Sequence, residues 1–319
     1  MPTICRLCPH ACRLTEGKVG RCRQRTVRQG QLVPINYGQI TAIAVDPIEK
    51  KPLYHFYPGT HVLSIGGLGC NLSCSFCQNY HIAHQQAQTV KMTPAQVVAL
   101  ALAEQRSDPK QIGIAFTYNE PTMDYEFVLD TARLAKDKGL KTALITNGYL
   151  QPEPWQALLQ HIDALNIDVK AFTEEFYREL CGASLEPVLR NVALAYEQSH
   201  VELTYLVIPG KNDRPEEMAR LADWVASLSP DIPLHLTRYF PNYKLKIAAT
   251  PVSSLEQLRQ VAAEKLNFVY LGNVGMHVDT YCPRCGQLVV QRDFVSVLTL
   301  GLEQGKCQNC GRKLPFCLS

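Results

Sequence analysis

Three cysteines fall within the stretch GCNLSCSFCQN: Cys70, Cys74 and Cys77, with three residues in the first gap and two in the second. Thiolates spaced this closely are metal ligands, and a 4Fe-4S cluster normally takes one protein thiolate on each of its four irons. With three supplied, one iron stays open to an exogenous ligand, by the logic that separates open catalytic metal sites from closed structural ones. The absent fourth cysteine makes the site reactive. A glycine-rich approach through Gly66, Gly67 and Gly69 leads into it.

Eight further cysteines form two groups of four. Cys282 and Cys285, then Cys307 and Cys310, make two Cys-x-x-Cys knuckles, each followed by a turn glycine and separated by the strand-like run QLVVQRDFVSVLTL. That pattern predicts a zinc ribbon, in which four thiolates close a structural site. Cys5, Cys8, Cys12 and Cys22 lie within eighteen residues bent by Pro9, Gly17 and Gly20. They could close around zinc or around an auxiliary iron-sulfur cluster, the wide last gap resembling zinc loops more than ferredoxin runs. Cys181 reads as a small buried hydrophobe and Cys317 as a free thiol. His10 reads as a bystander, His55 between aromatics as a satisfied structural histidine, and Lys50 and Lys51 as surface charges.

A scaffold must bring these groups together. HVLSIG reads as a buried strand running straight into the Cys70 loop. Helical stretches near 94–106, 123–138, 153–161, 173–180, 186–198 and 215–228 alternate with strands IGIAF, KTALIT, ALNID, ELTYLVI and PLHLTRY. About six such units predict an α/β fold with a parallel sheet, a partial (βα)6 barrel of TIM type, whose chemistry gathers at the carboxyl ends of the strands. TYNEPT, TNGY, DVK and PGKND follow the second to fifth strands. The expected organisation is a metal module with connecting strands over 1–60, the barrel over 61–275 and the ribbon over 276–319.

Composition narrows the setting. The chain has 319 residues, a net charge of +3 and thirteen cysteines. That charge is too mild to declare a nucleic-acid binder by itself. The excess is local, with Arg6, Arg13, Lys18, Arg21, Arg23, Arg25 and Arg28 against a lone Glu16 at the amino end. That end reads as a solvated face rather than a nucleic-acid or acidic-partner patch. No apolar run reaches the length of a membrane span and the start lacks the layout of a signal peptide, so a cytoplasmic protein is expected. A reducing compartment makes clustered cysteines metal ligands rather than disulfides.

The Cys70 motif, with Phe76 just before its last cysteine, resembles the signature of the radical S-adenosylmethionine (SAM) enzymes. The resemblance implies that SAM binds the open iron and that Phe76 lies near its adenine. It places Asn119 and Glu120 of YNEPT at the SAM amino group. TNG and DVK resemble segments of pyruvate formate-lyase activating enzyme, implying Thr146, Asn147, Asp168 and Lys170 around the SAM carboxylate and ribose. Ile145 stands where that enzyme has an aspartate. Over nearly the whole chain, CRLCPHACRLTEGKVGRC, DPIEKKPLYHFYPGT, RYFPNYK and GNV resemble the radical SAM member of the AmmeMemoRadiSam system, many of whose members have a histidine where Phe240 stands. AMMECR1-like and Memo-like partner proteins are implied by that resemblance.

The implied chemistry is reductive cleavage of SAM, fed by an external one-electron reductant of flavodoxin or ferredoxin type. Hydrogen would then be abstracted from a polypeptide, as the activating enzymes do. RNA is the alternative macromolecular substrate, motivated by the basic amino end. A zinc-finger adaptor without catalysis would not need the open cluster at Cys70, Cys74 and Cys77.

Overall fold

Strand segments of this chain are apolar on both faces, as expected where helices cover a parallel sheet outside and side chains fill it inside. The computed structural model describes residues 2–275, 278–293 and 296–318. Its main sheet runs β1 (Ala42–Pro47), β2 (His61–Gly66), β3 (Gln111–Phe116), β4 (Lys141–Thr146), β5 (Ala164–Asp168), β6 (His200–Val207), β7 (Leu234–Arg238) and β8 (Val269–Gly272), side by side in that order. Neighbours from β2 to β8 are parallel, whereas β1 runs antiparallel to β2 with Ala42 opposite Gly66 and Pro47 opposite His61.

The six strands expected from sequence are β2 to β7. The structure adds a parallel β8 and the antiparallel edge β1, and these two edges do not pair among the described residues, so the barrel stays open.

Six helices cover the outside: α1 (Pro94–Ser107), α2 (Tyr125–Asp137), α3 (Pro152–Leu159), α4 (Glu186–Tyr196), α5 (Pro215–Leu228) and α6 (Val252–Ala263). Start signals are local. Thr93 and Gln96 form a reciprocal capping box ahead of α1, and prolines open α1, α3 and α5. The stretch expected as a helix near 173–180 is a short turn, Glu174–Phe176, continued by a wider π-type turn, Tyr177–Cys181, that ends at Gly182 with φ 65°.

Alternation along the strands sorts side chains to two sides. Leu63, Ile65, Ile114 and Leu144 pack outward with Val97, Val98, Val128 and Ala132 of the helices. Val62, Ala115, Ala143 and Ala164 point inward, where Ile48, Leu53 and Phe56 fill the floor of the barrel. The small alanines leave room for those three plugs.

The two ends of the chain attach at opposite mouths. Arg25–Arg28 and Gln31–Pro34 form a hairpin in the amino-terminal module. At the carboxyl end, Leu288–Arg292 pairs with Thr280–Tyr281 and Val297–Thr299. Met276, at the expected start of the ribbon, lies outside the described residues, as do Phe294 and Val295 of the strand-like run. The tail then returns to the floor. Cys317 donates its N–H to His55 O at 2.8 Å, its carbonyl accepts from Tyr57 N at 2.9 Å, and Phe316 stacks on the His55 ring at 4.1 Å.

Candidate functional site

The loop after β2 carries Cys70, Cys74 and Cys77 at the carboxyl mouth of the barrel. It is fixed mainly by residues at the ends of the neighbouring strands. Asn119, just after β3, accepts from Gly67 N at 2.9 Å and donates to Gly69 O at 3.1 Å. Glu120 N also donates to Gly69 O, at 3.3 Å. Gly69 has φ +88°, and a Cβ there would meet Gln24 Cγ at 2.4 Å and Cys22 O at 2.9 Å, so only glycine allows this approach.

Glu120 is buried, and its carboxylate accepts from Thr122 Oγ1 at 2.6 Å, Thr122 N at 3.2 Å, Thr146 Oγ1 at 2.8 Å and Asn147 N at 2.8 Å. Burial raises its pKa, and these donors act in the opposite direction. Asn147 in turn donates to Asn71 Oδ1 at 2.9 Å and points Nδ2 at Cys70 Sγ, 3.7 Å away. Leu72 N lies 3.4 Å from the same sulfur. The ends of β3 and β4 are therefore tied to the cysteine loop through one carboxylate and one amide.

The far side of the loop is held by elements that the spacing of the motifs does not reveal. Ser73 N and Ser75 N donate to the carbonyls of Cys181 and Leu180, at 2.8 and 3.0 Å, so the π-type turn works as a clamp. Cys181, read as a buried hydrophobe, is buried, and its thiol contacts that of Cys74. The segment after β7 folds over the top. Lys244 N and Leu245 N both donate to Ser75 O, and Tyr243 stacks on Tyr80 at 4.6 Å.

The thiols suit a metal centre. Burial pushes Cys77 up to about 11, with the Cys74 charge adding to it, and burial likewise raises Cys70 well above the ordinary range. Uncompensated thiolates would repel one another there. Bound metal supplies the missing positive charge and displaces the protons.

Of the residues expected near SAM, Phe76, Glu120, Thr146 and Asn147 are buried, with Phe76 packed 5.8 Å from the Phe176 ring. Asp168 and Lys170 keep partial access on the inner side of the barrel and pair at 2.8 Å. Burial opposes the Lys170 charge, but Asp168 and Cys74 overcome that and raise its pKa.

The inner wall contains a further polar group that sequence reasoning missed. Asp46 lies opposite Val62, so it faces inward, and it accepts from Lys51 at 2.9 Å and from Tyr118 at 2.8 Å. Burial would raise Asp46, yet these two donors hold it far below its usual range. Lys51 is thus buried, not a surface charge, and only Lys50 is exposed. Asp46 lies only five residues before Lys51, but the Tyr118 ring that covers Lys51 at 4.8 Å comes from another strand's end, and nothing around KKPLY signals it.

At the floor, Glu202 accepts from His55 N at 2.7 Å, His200 Nε2 at 3.0 Å and His235 Nε2 at 2.7 Å. His55 is fully buried and structural.

The two outer cysteine groups differ. Cys282, Cys285, Cys307 and Cys310 bring their sulfurs within 4.8 Å of one another, with 3.6 Å between Cys282 and Cys310 and between Cys285 and Cys307. A tetrahedron with zinc-sulfur bonds of about 2.3 Å has edges of about 3.8 Å, so the set fits one ion. Cys5, Cys8, Cys12 and Cys22 pack against the Cys70 loop. His10 bonds Asn71 O at 2.7 Å, Arg21 bonds Ser73 Oγ at 3.2 Å, and Gln151 N donates to Leu7 O at 3.0 Å. Burial pushes Cys8 up to about 12, with Cys22, Cys5 and Cys12 adding to it. None of the thirteen cysteines is in a disulfide. Among the described residues, no helix is long and apolar enough to cross a membrane.

Residues 64–222 match the family model of the Radical SAM superfamily. An uncharacterised protein of Methanocaldococcus jannaschii is 40% identical over 325 residues, covering 98% of this chain and 95% of that one. The pyruvate formate-lyase 1-activating enzyme of Escherichia coli K12 is 27% identical over 166 residues, covering 50% of this chain and 66% of that enzyme. Among solved structures, a radical SAM methyltransferase from Sphaerobacter thermophilus superposes with a TM-score of 0.52 at 19% identity, over 73% of this chain and 71% of that one. At that identity the likeness concerns the fold alone.

Proposed function

The chain belongs to the radical SAM superfamily, and from that premise we propose that it cleaves SAM reductively at a 4Fe-4S cluster on Cys70, Cys74 and Cys77 and takes hydrogen from a polypeptide. When bound, cluster and SAM together supply a 5'-deoxyadenosyl radical, the species that activates an otherwise inert carbon. The observation that carries the reading is the set of three thiols at the barrel mouth, with Asn147 Nδ2 and Leu72 N aimed at Cys70 Sγ. Donors of this kind tune cluster sulfurs.

Other residues would bind, orient and exclude water. Asn119 keeps the loop against β3, and Glu120 sets the Thr146–Asn147 turn that faces the SAM site. Asn119 and Glu120 would meet the SAM amino group, and Asp168 and Lys170 its carboxylate and ribose. Phe76 would border the adenine. The Ile48, Leu53 and Phe56 plug shuts the floor against solvent. The ribbon thiols would hold zinc.

Support for a polypeptide rather than RNA comes from the relatives. The activating-enzyme relatives are named for a protein target. At the amino end Arg25 is buried against Glu126, Arg23 donates to His84 O at 2.6 Å and Arg21 reaches Ser73, whereas Arg6, Arg13, Lys18 and Arg28 stay exposed. That exposed set keeps RNA as the alternative that the crosslinking test decides. A flavodoxin- or ferredoxin-type reductant, AMMECR1-like and Memo-like partners and a cytoplasmic setting belong to the same proposal.

The test is anaerobic reconstitution with SAM and a chemical reductant, assaying 5'-deoxyadenosine. Cys70→Ala, Cys74→Ala and Cys77→Ala should each abolish it, and normal cleavage by any one of them overturns the assignment. Crosslinking in extract with nuclease treatment decides the substrate. A dominant RNA adduct that vanishes when Arg21, Arg23 and Arg28 become glutamine would replace the polypeptide.

A further inference from the structure

We propose that Cys5, Cys8, Cys12 and Cys22 hold a second iron-sulfur cluster rather than zinc. The decisive comparison is internal to the molecule. The ribbon thiols converge to within 4.8 Å of one another, the packing a single ion demands. No three of the four amino-terminal thiols meet that condition among the described residues, and neither do Cys70, Cys74 and Cys77. The amino-terminal set therefore resembles the cluster loop, and not the ribbon, in not closing to the span of one ion.

The loop is nonetheless built as a site. Cys5, Cys8 and Cys22 are buried and Cys12 half-buried, with all four in one eighteen-residue span. Backbone N–H groups of Leu7, His10 and Gln24 point at the sulfurs of Cys5, Cys8 and Cys22. Leu72 N is aimed in the same way at Cys70. A cluster of several irons holds its thiolates apart by its own width, which one zinc ion cannot span.

Position adds a functional consequence. Cys22 O is the atom that a side chain at Gly69 would strike, and His10 and Arg21 bond the Cys70 loop directly. The two centres lie in adjoining loops at the same mouth of the barrel. With a thiolate for each iron, the second centre leaves no iron open, so its chemistry is electron exchange and not substrate binding.

The inference does not need SAM chemistry to hold, and its test is separate from activity. The full chain is reconstituted anaerobically with iron and sulfide, and iron, sulfide and zinc are counted. A variant with Cys70→Ala, Cys74→Ala and Cys77→Ala together leaves the amino-terminal loop untouched. It is expected to keep about half of the wild-type iron, with matching sulfide and an electron paramagnetic resonance signal that ignores SAM. Cys8→Ala with Cys22→Ala should lose that half, while the remaining signal still shifts with SAM. Zinc should stay at the ribbon's level in both. A triple variant that holds no iron overturns the proposal, whatever its zinc count.

Discussion

The Asn147 backbone N–H donates to the Glu120 carboxylate at 2.8 Å, so the turn after β4 takes its position from a residue at the end of β3. Because the same carboxylate also accepts from Thr146 and Thr122, its charge orients a whole turn besides the contact with the SAM amino group proposed for it. Glu120→Gln keeps the shape but sets an amide donor against donors. SAM affinity should fall by roughly 10- to 150-fold, with iron content unchanged, since charge-assisted hydrogen bonds are worth about 1.5–3 kcal/mol. Binding measured on the cluster-loaded protein checks this. Undiminished affinity would leave Glu120 only the positioning of the turn.

Gly69→Ala tests the join between the two cysteine loops. The left-handed backbone alone costs about 1–3 kcal/mol, and the added Cβ also strikes Gln24 and Cys22 O. We expect a lower melting temperature and faster iron loss to a chelator. A variant as stable as the parent would mean that the amino-terminal module yields freely.

Removal of the ribbon metal should be felt at the barrel floor. Arg292 donates to Tyr54 O at 2.7 Å, and the tail covers His55. Cys282→Ala with Cys310→Ala is expected to lose one zinc per chain and to expose the floor to hydrogen exchange around residues 54–57. Retention of full zinc in that variant would remove the metal from the ribbon.

The floor also predicts a pH dependence. Burial lowers His200, but Cys317 and Glu202 overcome it and raise its pKa to about 9. Its contribution is complete below the unfolded value of about 6.5 and is lost as pH rises through about 9. Glu202 is held well below its usual range by the two histidines against the effect of burial, so its share is lost only in strong acid. The melting temperature should hold between about pH 5 and 7 and decline toward pH 10. Glu202→Gln should cost about 3–5 kcal/mol and flatten the alkaline decline. An equal decline in parent and variant would show that His200 is uncharged in the fold.

Six parallel strands and the ribbon knuckles were legible because each carries a strong local pattern: apolar runs between helical periods, and paired Cys-x-x-Cys. Strand β8 escaped because its four residues, VYLG, lack the length to stand out. Strand β1 alternates half-exposed residues as an edge does. Lys51 was misread in placement for a different reason. Its ion-pair partner Asp46 is local, but Tyr118, which closes over both, is supplied by another loop, and no spacing near Lys51 encodes it.

The amino-terminal cysteine loop has partners that are made long after it. Leu7 waits for Gln151, Arg21 for Ser73, and the segment over Cys77 closes only with residues 242–245. At elongation rates of about 5–20 residues per second, the first cysteines leave the ribosome roughly ten seconds or more before the strands that shelter them. Nascent thiols in that interval are open to any passing ion. The iron proposed for this loop is therefore expected to be loaded after release, once those late partners are in place.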